Sequence, residues 1–575
     1  MASTFGSLNA ALSGLYASQR LIEVSGHNIE NMNTPGYTKQ RVDQKALGIS
    51  SIPSIFAGST ITGGGVELER LRRMGDVFLD NKLRLETGNS AGAGEVAKAW
   101  KNMESVMKEL SDTGMNRTLS QFYTSWGDIA NSSESMAARS VTLQRAQAAV
   151  DQIASGYENI NTLWKDARSQ VDAQVSDLNA TMDSVAKLNE RIRREKNAGA
   201  DVNELIDERA KLVLQLSKYT GANAKERDDG TIDVYVAGNA MVAGDYANHV
   251  IVNGARDMPG IEIAPKNLWA AAEGAAKTTA PDKDTVSVVF EGPGKGKVVI
   301  KDKDGADVTA SRLAGVKTPD GNDVLRPSKL DPSKLEASFS MEDYQHDEGP
   351  VRLVWSGGGH TAVITEGTLG GKIANVAPSG KPEVNGNIGS GGAFAEVGKL
   401  YNDLATNLAK EINALHKAEG TNQTRTLNKD AGGNYTAGGD FFDFNIDVKL
   451  PPAQRLKVAI SDPRNIAAAK EGMGAFDGSV ADTIMKKMNE QRGAVDTWAT
   501  SVVDIGVHAK SASGASDLAE QGRRIAERAH MSGTSVEMNE EIVGLIKGQH
   551  AYSAAARVMN TVNTMLEELI NLGRR

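Results

Sequence analysis

The residues whose types could support metal binding or catalysis are few and poorly spaced. His346-Asp347-Glu348 and His360 could approach one another, but no two histidines have the spacing of a helical ligand pair. Asp302, Asp304 and Asp307 suggest a calcium loop only faintly, since their spacing is not that of an EF-hand. A hairpin turn explains these three aspartates, so the sequence predicts no metal site here.

Glycine-rich segments give no better evidence for a nucleotide or cofactor site. The run from Gly292 to Val298 lacks the length and the hydroxyl residue of a phosphate-binding P-loop. Gly63-Gly64-Gly65 is not followed by Lys-Ser or Lys-Thr, and it is interpreted as a turn into a short strand that begins at Val66. We therefore expect no catalytic residues and no cofactor, and we expect that the protein is not an enzyme.

Composition narrows the class of protein further. The 575 residues carry a net charge of -9 and include no cysteine, which excludes disulfides, thiolate metal sites and cysteine nucleophiles. Basic runs are short, as at 70–73 and 191–194, so nucleic-acid binding is not expected. No apolar run approaches the length of a membrane span, and the N-terminus lacks the pattern of a cleaved signal peptide, so membrane insertion is not expected.

Function must then depend on surfaces, and the two ends of the chain carry the strongest candidates. Apolar residues recur at spacings of three and four in both ends, which predicts two amphipathic helices with coiled-coil seams. Each helix alone would be marginal in water, so each seam needs a partner. Either the two helices pack on each other within a monomer, or they bury against neighbouring molecules. The terminal seams comprise Phe5, Leu8, Leu12, Leu15, Ile22 and Ile29 at one end, and Ile542, Leu545, Tyr552, Met559, Leu566 and Ile570 at the other.

The N-terminal helix is predicted to end at a tight turn. Asn28, Asn31 and Asn33 favour caps and turns, and Thr34-Pro35-Gly36-Tyr37 follows them directly. Pro35 fixes φ at the second position of such a turn, and Gly36 permits a positive φ at the third. The chain should then leave as an extended segment from Tyr37.

Between the ends, helical and β patterns alternate in blocks. Heptad spacing runs from Val150 to Ile192 and again from Ile484 to Ala512, while short β-type runs fill 224–389, including one at Thr361 to Thr365. The predicted fold is multidomain α + β, with terminal coiled-coil helices, a long helical-bundle rod and a β-rich insertion. The predicted domains are 1–45 with 530–575 (assembly), 46–74 (extended connector), 75–223 with 390–529 (helical rod) and 224–389 (β-rich).

The terminal sequences resemble those of a known family. The run from His27 to Arg41, which contains Asn-Thr-Pro-Gly-Tyr-Thr-Lys-Gln-Arg, resembles the N-terminal signature of the bacterial flagellar axial proteins: rod, hook and hook-associated. Ser535 to Glu541 and Leu545 to Tyr552 resemble the matching C-terminal signature. Hook and rod proteins more often have Gly-Phe in place of Gly36-Tyr37, so the resemblance is greatest to the hook-associated members. Weaker resemblances occur at Asn203 to Arg209 and at Ile412 to His416.

The resemblance implies a structural subunit of the flagellum at the junction of hook and filament, formed by coupled folding and assembly of its terminal helices. The implied partners are other copies of the chain in a ring-like or helical assembly, the hook protein, a second hook–filament junction protein and an export chaperone for the C-terminal helix. The implied location is extracellular, reached through the flagellar type III export apparatus without a cleaved signal.

Three alternatives remain open at this point. The chain could be another axial protein, from the hook or distal rod, although the long heptad helix ahead of the β insertion argues against that. It could carry an extracellular enzyme, such as a wall hydrolase or protease, in the β insertion. It could also be a free coiled-coil adhesin whose terminal signatures arose by coincidence.

Overall fold

The computed structural model describes most of the chain as two compact units. The described residues are 2–47, 64–107, 114–256, 258, 285–290, 295–302, 304, 306–317, 325–327, 335–340, 351–377, 392–420, 422–444 and 450–572. One unit, here the terminal unit, comprises Met1–Asn89, Leu178–Asn248 and Glu520–Arg575. The other, here the central unit, comprises Ser90–Asp177 and His249–Ala519.

Helices form most of the described structure. None of the described helices is both long and apolar enough to cross a membrane. They are α1 (Ala2–Asn31), α2 (Val77–Met107), α3 (Met115–Asn131), α4 (Met136–Asn197), α5 (Asn203–Thr220), α6 (Thr309–Arg312), α7 (Gly367–Val376), α8 (Gly392–His416), α9 (Pro452–Arg455), α10 (Ser479–Lys486), α11 (Ala494–Thr534) and α12 (Met538–Leu572).

The strands form small antiparallel sheets. They are β1 (Gln40–Ala46), β2 (Val66–Arg73), β3 (Asn223–Glu226), β4 (Ile232–Val236), β5 (Asn239–Ala243), β6 (Tyr246–Ala247), β7 (Val250–Asn253), β8 (Thr285–Phe290), β9 (Lys295–Lys301), β10 (Arg326–Pro327), β11 (Leu335–Ser340), β12 (Arg352–Trp355), β13 (Thr424–Lys429), β14 (Tyr435–Ala437), β15 (Phe442–Phe444), β16 (Leu456–Val458) and β17 (Ala469–Lys470). The described sheets have the strand orders β1-β2, β3-β4-β5-β6, β7-β12, β8-β9-β11-β10, β14-β13-β17 and β15-β16. The fold is therefore multidomain α + β and mostly helical, as predicted.

The predicted connector at 46–74 is in part a two-stranded ribbon. β1 pairs with β2 along its whole length, from Gln40 opposite Arg73 to Ala46 opposite Val66, with a register shift after Asp43. The predicted glycine turn does lead into a strand at Val66, although Gly63 lies outside the described residues. Pairing across the ribbon supplies the backbone hydrogen bonds that a free connector would have left to water.

Several local predictions in the central unit were wrong. The run Thr361 to Thr365 is not a strand, because the chain turns tightly after β12 and leaves only the bridge of Thr361 to Val354. The glycine-rich segment of α7 lies inside the range predicted to be β-rich but is a helix, and Gly371 faces Gly92 of α2 so closely that a Cβ would lie 2.6 Å from the Gly92 carbonyl oxygen. A helix fits there because two glycines let the backbones approach.

The second heptad stretch is also not one helix. α10 ends at Lys486, and Arg492 adopts a positive φ of 63° before α11 begins. The N-terminus of α11 is capped by a carboxylate from α8, where Glu411 Oε2 accepts a hydrogen bond of 3.0 Å from the Ala494 N–H. That capping favours a new helix start over continuation, since the first amides of a helix lack partners within it.

An aromatic cluster forms the core of the central unit and includes a buried histidine. Trp126 and Phe441 contact the His416 ring, Phe122 and Phe442 pack against those two rings, and each of these aromatic residues is at most 1% exposed. The His416 ring accepts a hydrogen bond at Nε2 from the Ala467 N–H at 2.7 Å, and its Nδ1 lies 2.7 Å from the Gly439 carbonyl oxygen. A neutral ring with its proton on Nδ1 satisfies both contacts.

Burial lowers the pKa of His416 to about 4. A histidine in an unfolded chain titrates near 6.5, so between these values the unfolded chain binds a proton that the folded chain does not. The neutral His416 ring therefore makes its full contribution to the free energy of unfolding above about pH 6.5. That contribution falls by on the order of 3 kcal/mol as the pH is lowered towards 4.

We predict that His416→Gln removes most of this pH dependence and also destabilises the central unit at neutral pH. Urea unfolding followed by tryptophan fluorescence suits the measurement, because Trp126 lies 6.1 Å from the His416 ring. The exposed His360 provides the control variant His360→Gln, which should unfold like the parent chain. An unchanged pH slope in His416→Gln would contradict the assignment.

Candidate assembly site at the chain termini

The two terminal helices pack on each other within one chain. α1 and α12 run antiparallel, and their closest approach is between small residues. A Cβ on Gly544 would lie 2.9 Å from Ser25 Oγ, and a Cβ on Gly548 would lie 2.8 Å from Ile22 Cγ1. Glycines four residues apart thus let the two backbones approach closely, because they share one face of the helix.

The face shared by the pair is made mostly of small or medium-sized residues. The most buried of these on α1 are Ala11 (7% exposed), Ser18 and Ser25, and α12 contributes Gly548 and Val562. Such residues permit a short distance between the helices but remove little apolar surface from water. The pair by itself therefore has a thin apolar core.

Several large apolar residues of the same helices remain exposed beside that shared face. On α1, Leu12 is 37% exposed and Tyr16 57%. On α12, exposures of 41% to 51% occur at Ile542, Val543, Ile546, Val558 and Met565. Met538, Ile542 and Ile546 follow one another at four-residue spacing and so line one side of the helix. The pair therefore leaves a substantial part of its own apolar surface exposed to solvent.

The residues of the terminal seams divide between the two environments. Leu8, Leu15, Ile22 and Ile29 are half-buried on α1, as are Leu545, Met559 and Leu566 on α12. Leu12, Ile542, Tyr552 (40%) and Ile570 (62%) are exposed, and the side chain of Phe5 lies outside the described part of the structure. Their role in assembly stays a prediction.

The predicted turn at the end of α1 is confirmed. Tyr37 N–H donates to the Thr34 carbonyl at 3.1 Å, and Gly36 has a φ of +78°. A side chain at Gly36 would also overlap the Lys211 side chain of α5. Asn33 and Pro35 are exposed at the turn, while Asn31 Nδ2 donates to the His27 carbonyl at 3.0 Å and closes the last turn of α1.

Asn28 holds the returning chain against the helix. Its side chain is 1% exposed; Nδ2 donates to the Gln40 carbonyl at 2.9 Å, and Oδ1 accepts from the Gln40 N–H at 3.0 Å. Oδ1 also accepts from the Tyr37 hydroxyl at 2.7 Å. The carboxamide therefore pairs with Gln40 as a strand neighbour would, which fixes the direction in which β1 leaves α1.

Asp207 of α5 fastens the start of this ribbon to the body of the terminal unit. Its Oδ2 accepts from the Thr38 N–H at 3.0 Å, and its Oδ1 accepts from Arg73 Nε at 2.5 Å. Asn203 Nδ2 donates to the Leu71 carbonyl at 3.2 Å. The family-like run at 203–209 thus contacts the N-terminal motif, a pairing that sequence reasoning missed because the two segments are far apart in the chain.

Lys39 links the same motif to the C-terminal helix. Its backbone N–H donates to the Thr534 carbonyl at 2.9 Å, and its Nζ pairs with Glu540 and lies 3.7 Å from Glu541 Oε1. The Lys39 side chain is 9% exposed and Glu541 8%, whereas Glu540 is 54% exposed, so the charge cluster is buried on one side and open to water on the other. We call the contacts of Asn28, Lys39 and Asp207 the motif joint.

Groups that could carry other chemistry are engaged elsewhere. Asp302 Oδ1 accepts from the Ala306 N–H and Asp307 Oδ1 from the Thr309 N–H, both at 3.0 Å, so these carboxylates support a turn. Within the described residues no group of three or more histidines and carboxylates could hold a metal ion. His346-Asp347-Glu348 lies outside the described residues.

The sequence Gly88-Asn89-Ser90-Ala91-Gly92 matches a serine-nucleophile pattern. It lies inside α2, without the strand-to-helix turn that exposes such a serine.

The fold is that of a mostly helical, multidomain α + β protein whose two chain ends pair as helices. Comparison with known proteins agrees. The family model described as "Flagellar hook-associated protein FlgK helical domain" matches residues 100–285, and that described as "Flagellar basal body rod FlgEFG protein C-terminal" matches residues 528–572.

Relatives match along nearly the full chain. Flagellar hook-associated protein 1 of Bacillus subtilis is 25% identical over 591 residues, which cover 99% of each chain. Its Escherichia coli namesake is 24% identical over 98% of this chain and 99% of the relative. The solved structure of the flagellar hook junction protein FlgK from Burkholderia pseudomallei aligns with 79% of this chain and 100% of its own, at 14% identity and a TM-score of 0.40. The chain therefore contains a region that matches the FlgK helical domain and is similar to flagellar hook-associated protein 1 along nearly its whole length, as a structural component of the flagellum.

We predict that Gly548→Leu destabilises the terminal helix pair by about 1–3 kcal/mol, because the new side chain meets Ile22 across the closest approach. Gly14→Leu is the matched control, since a Cβ at Gly14 of α1 has no neighbour within 4 Å and the helix gains propensity. Amide exchange over α1 and α12 measures both variants. Equal protection in the two would show that the close approach does not hold the pair together.

Proposed function

We propose that this chain forms the junction between hook and filament, and that its terminal helices reach their final packing only in the assembly. The observation that supports this proposal is that α1 and α12 meet through small residues, while Tyr16, Ile546 and Met565 on the same helices remain about half exposed. Exposed apolar surface of this extent on paired helices is typical of an interaction face.

The balance of free energies supports coupling between folding and assembly. Fixing each residue of a helix costs roughly 1–2 kcal/mol of backbone entropy. Full burial of a large apolar side chain stabilises the structure by about 1.5–3 kcal/mol. The exposed apolar residues of α1 and α12 contribute this free energy only when another surface covers them. In the free subunit the pair should therefore open readily beyond the motif joint, and in the assembly neighbouring helices should close it.

Partners follow from the location of this surface and from the names of the relatives. Further copies of the chain, in a ring-like or helical arrangement, would cover the outward faces of α1 and α12. The hook protein and a second hook–filament junction protein would contact the two sides of that assembly. An export chaperone would shield the apolar faces of α12 before assembly, and the chain would leave through the flagellar type III apparatus.

The function proposed here needs interfaces and no catalysis. The segments 1–45 and 530–575 would form the assembly domain, 75–223 with 390–529 the helical rod, and 224–389 an outer β-rich region. This division stays our proposal, since helices α2, α4 and α11 each include residues of both compact units.

Leu12→Asp should abolish incorporation of the subunit while the central unit stays folded, because a charge would enter a face that neighbours cover. Asn9→Asp is the matched control, as Asn9 is an exposed residue of the same helix. Each variant is expressed in a strain from which the native copy has been deleted, and flagella are examined by electron microscopy. Leu12→Asp cells should show hooks without filaments and shed monomer, whereas Asn9→Asp cells should swim. Normal filaments in Leu12→Asp cells would contradict the proposal.

A further inference from the structure

Beside the motif joint lies a histidine whose hydrogen bonds depend on its protonation. His27 of α1 lies with Nδ1 3.1 Å from the Tyr37 hydroxyl oxygen and with Nε2 3.4 Å from Glu204 Oε1 of α5. The two ring nitrogens therefore contact two separate elements, the turn after α1 and the first turn of α5. His27 is 38% exposed at its side chain, so protons reach it freely.

The hydrogen bonds around Tyr37 fix which partner donates. Asn28 Nδ2 donates to the Gln40 carbonyl, so Asn28 Oδ1 is the acceptor that receives the Tyr37 hydroxyl proton at 2.7 Å. Burial, with the nearby carboxylates of Asp207, Glu541 and Glu204, holds the pKa of Tyr37 well above its usual range, so that proton stays in place. While the Tyr37 hydroxyl proton is donated to Asn28, the Tyr37 oxygen can only accept from His27, so the shorter of the two contacts of the His27 ring favours a donor at Nδ1.

A neutral imidazole that donates from Nδ1 has only a lone pair at Nε2. That lone pair would face the Glu204 carboxylate, and two acceptors would oppose each other. A protonated ring donates from both nitrogens and satisfies both partners.

The charges that surround His27 are mostly negative. Arg20 pairs with Glu23 on α1 at 3.1 Å, and Arg191 pairs with Glu195 on α4 at 2.7 Å, so neither guanidinium is left uncompensated. Asp201 and Glu204 add two further carboxylates at the entry to α5. The charged residues that line the cleft with His27 are Arg20, Glu23, Arg191, Glu195, Asp201 and Glu204; Glu30 follows on α1, and Asp207 and Glu541 act on Tyr37.

We propose that His27 is a protonation-dependent latch between α1 and α5, closed when its ring donates to both Tyr37 and Glu204 and loosened when the ring is neutral. Its consequence for assembly rests on the proposed function: α1 would be held more firmly at its base as the pH falls below neutrality. The pair is exposed, so the expected effect is modest, about two- to fivefold in the opening equilibrium of the joint.

Amide exchange on the unassembled full chain tests the latch, at about pH 5.5 and pH 8 and with correction for the intrinsic effect of pH. Peptides that span 37–41 should be about two- to fivefold better protected at the lower pH. In Glu204→Gln the carboxamide can donate to a neutral Nε2 or accept from a protonated one, so protection should become independent of pH. Glu208→Gln is the matched control, an exposed residue of the same helix that should behave as the parent.

His27→Phe keeps a ring beside Tyr37 without its nitrogens and should show weak protection at both pH values. The latch is overturned if Glu204→Gln keeps the pH dependence of the parent chain, or if the parent chain shows none. Because exchange is measured before assembly, either result is independent of whether the chain forms the hook–filament junction.

Discussion

Close packing through small residues is the constraint on which the terminal structure depends. Gly544 and Gly548 bring α12 against Ser25, Ser18 and Ile22 of α1, and at these two positions of α12 there is no space for a larger residue. Several large apolar residues beside this contact, such as Tyr16 and Met565, remain exposed. A helix pair that cannot cover its own apolar surface is suited to a place inside a larger assembly, where other helices cover it.

The motif joint holds the C-terminal end of α1 and the N-terminal end of α12 in place. Asn28 holds the start of β1, Asp207 ties that start to α5, and Lys39 connects it to the end of α11 and the beginning of α12. One short sequence, from Asn28 to Gln40, thereby connects the base of α1 to α5, to the end of α11 and to the start of α12. The proposed opening of α1 and α12 beyond the joint would leave these contacts in place.

Features that depend on local chemistry were predictable from the sequence, and features that depend on distant partners were not. Pro35 and Gly36 define their turn through their own backbone preferences, and the structure contains that turn. Heptad spacing identified the terminal helices, yet it ranks large apolar residues as the buried ones. It gave no weight to Gly544, Gly548 and Ser25, whose importance is their lack of bulk. The contacts of Asp207 with Thr38 and Arg73 join residues more than 130 positions apart and leave no periodic signal.

Distant partners also determine local structure in the middle of the chain. The short strands β13 and β17 lie in the range predicted as helical rod, pair across about 45 residues, and show no clear alternation by themselves. The break before α11 depends on Glu411, a residue of another helix that caps Ala494. In each case a partner elsewhere in the unit decided between two local structures that the sequence alone allowed.

The most direct test of the account compares amide exchange in the purified subunit with that in isolated hook–filament junctions. Peptides from 7–26 and 545–566 should exchange at least tenfold faster in the free subunit than in the assembly, while peptides from α3 in the central unit should be protected equally in both. If α1 and α12 are already as slow to exchange in the free subunit as in the assembly, the terminal helices complete their packing alone and the central claim is contradicted.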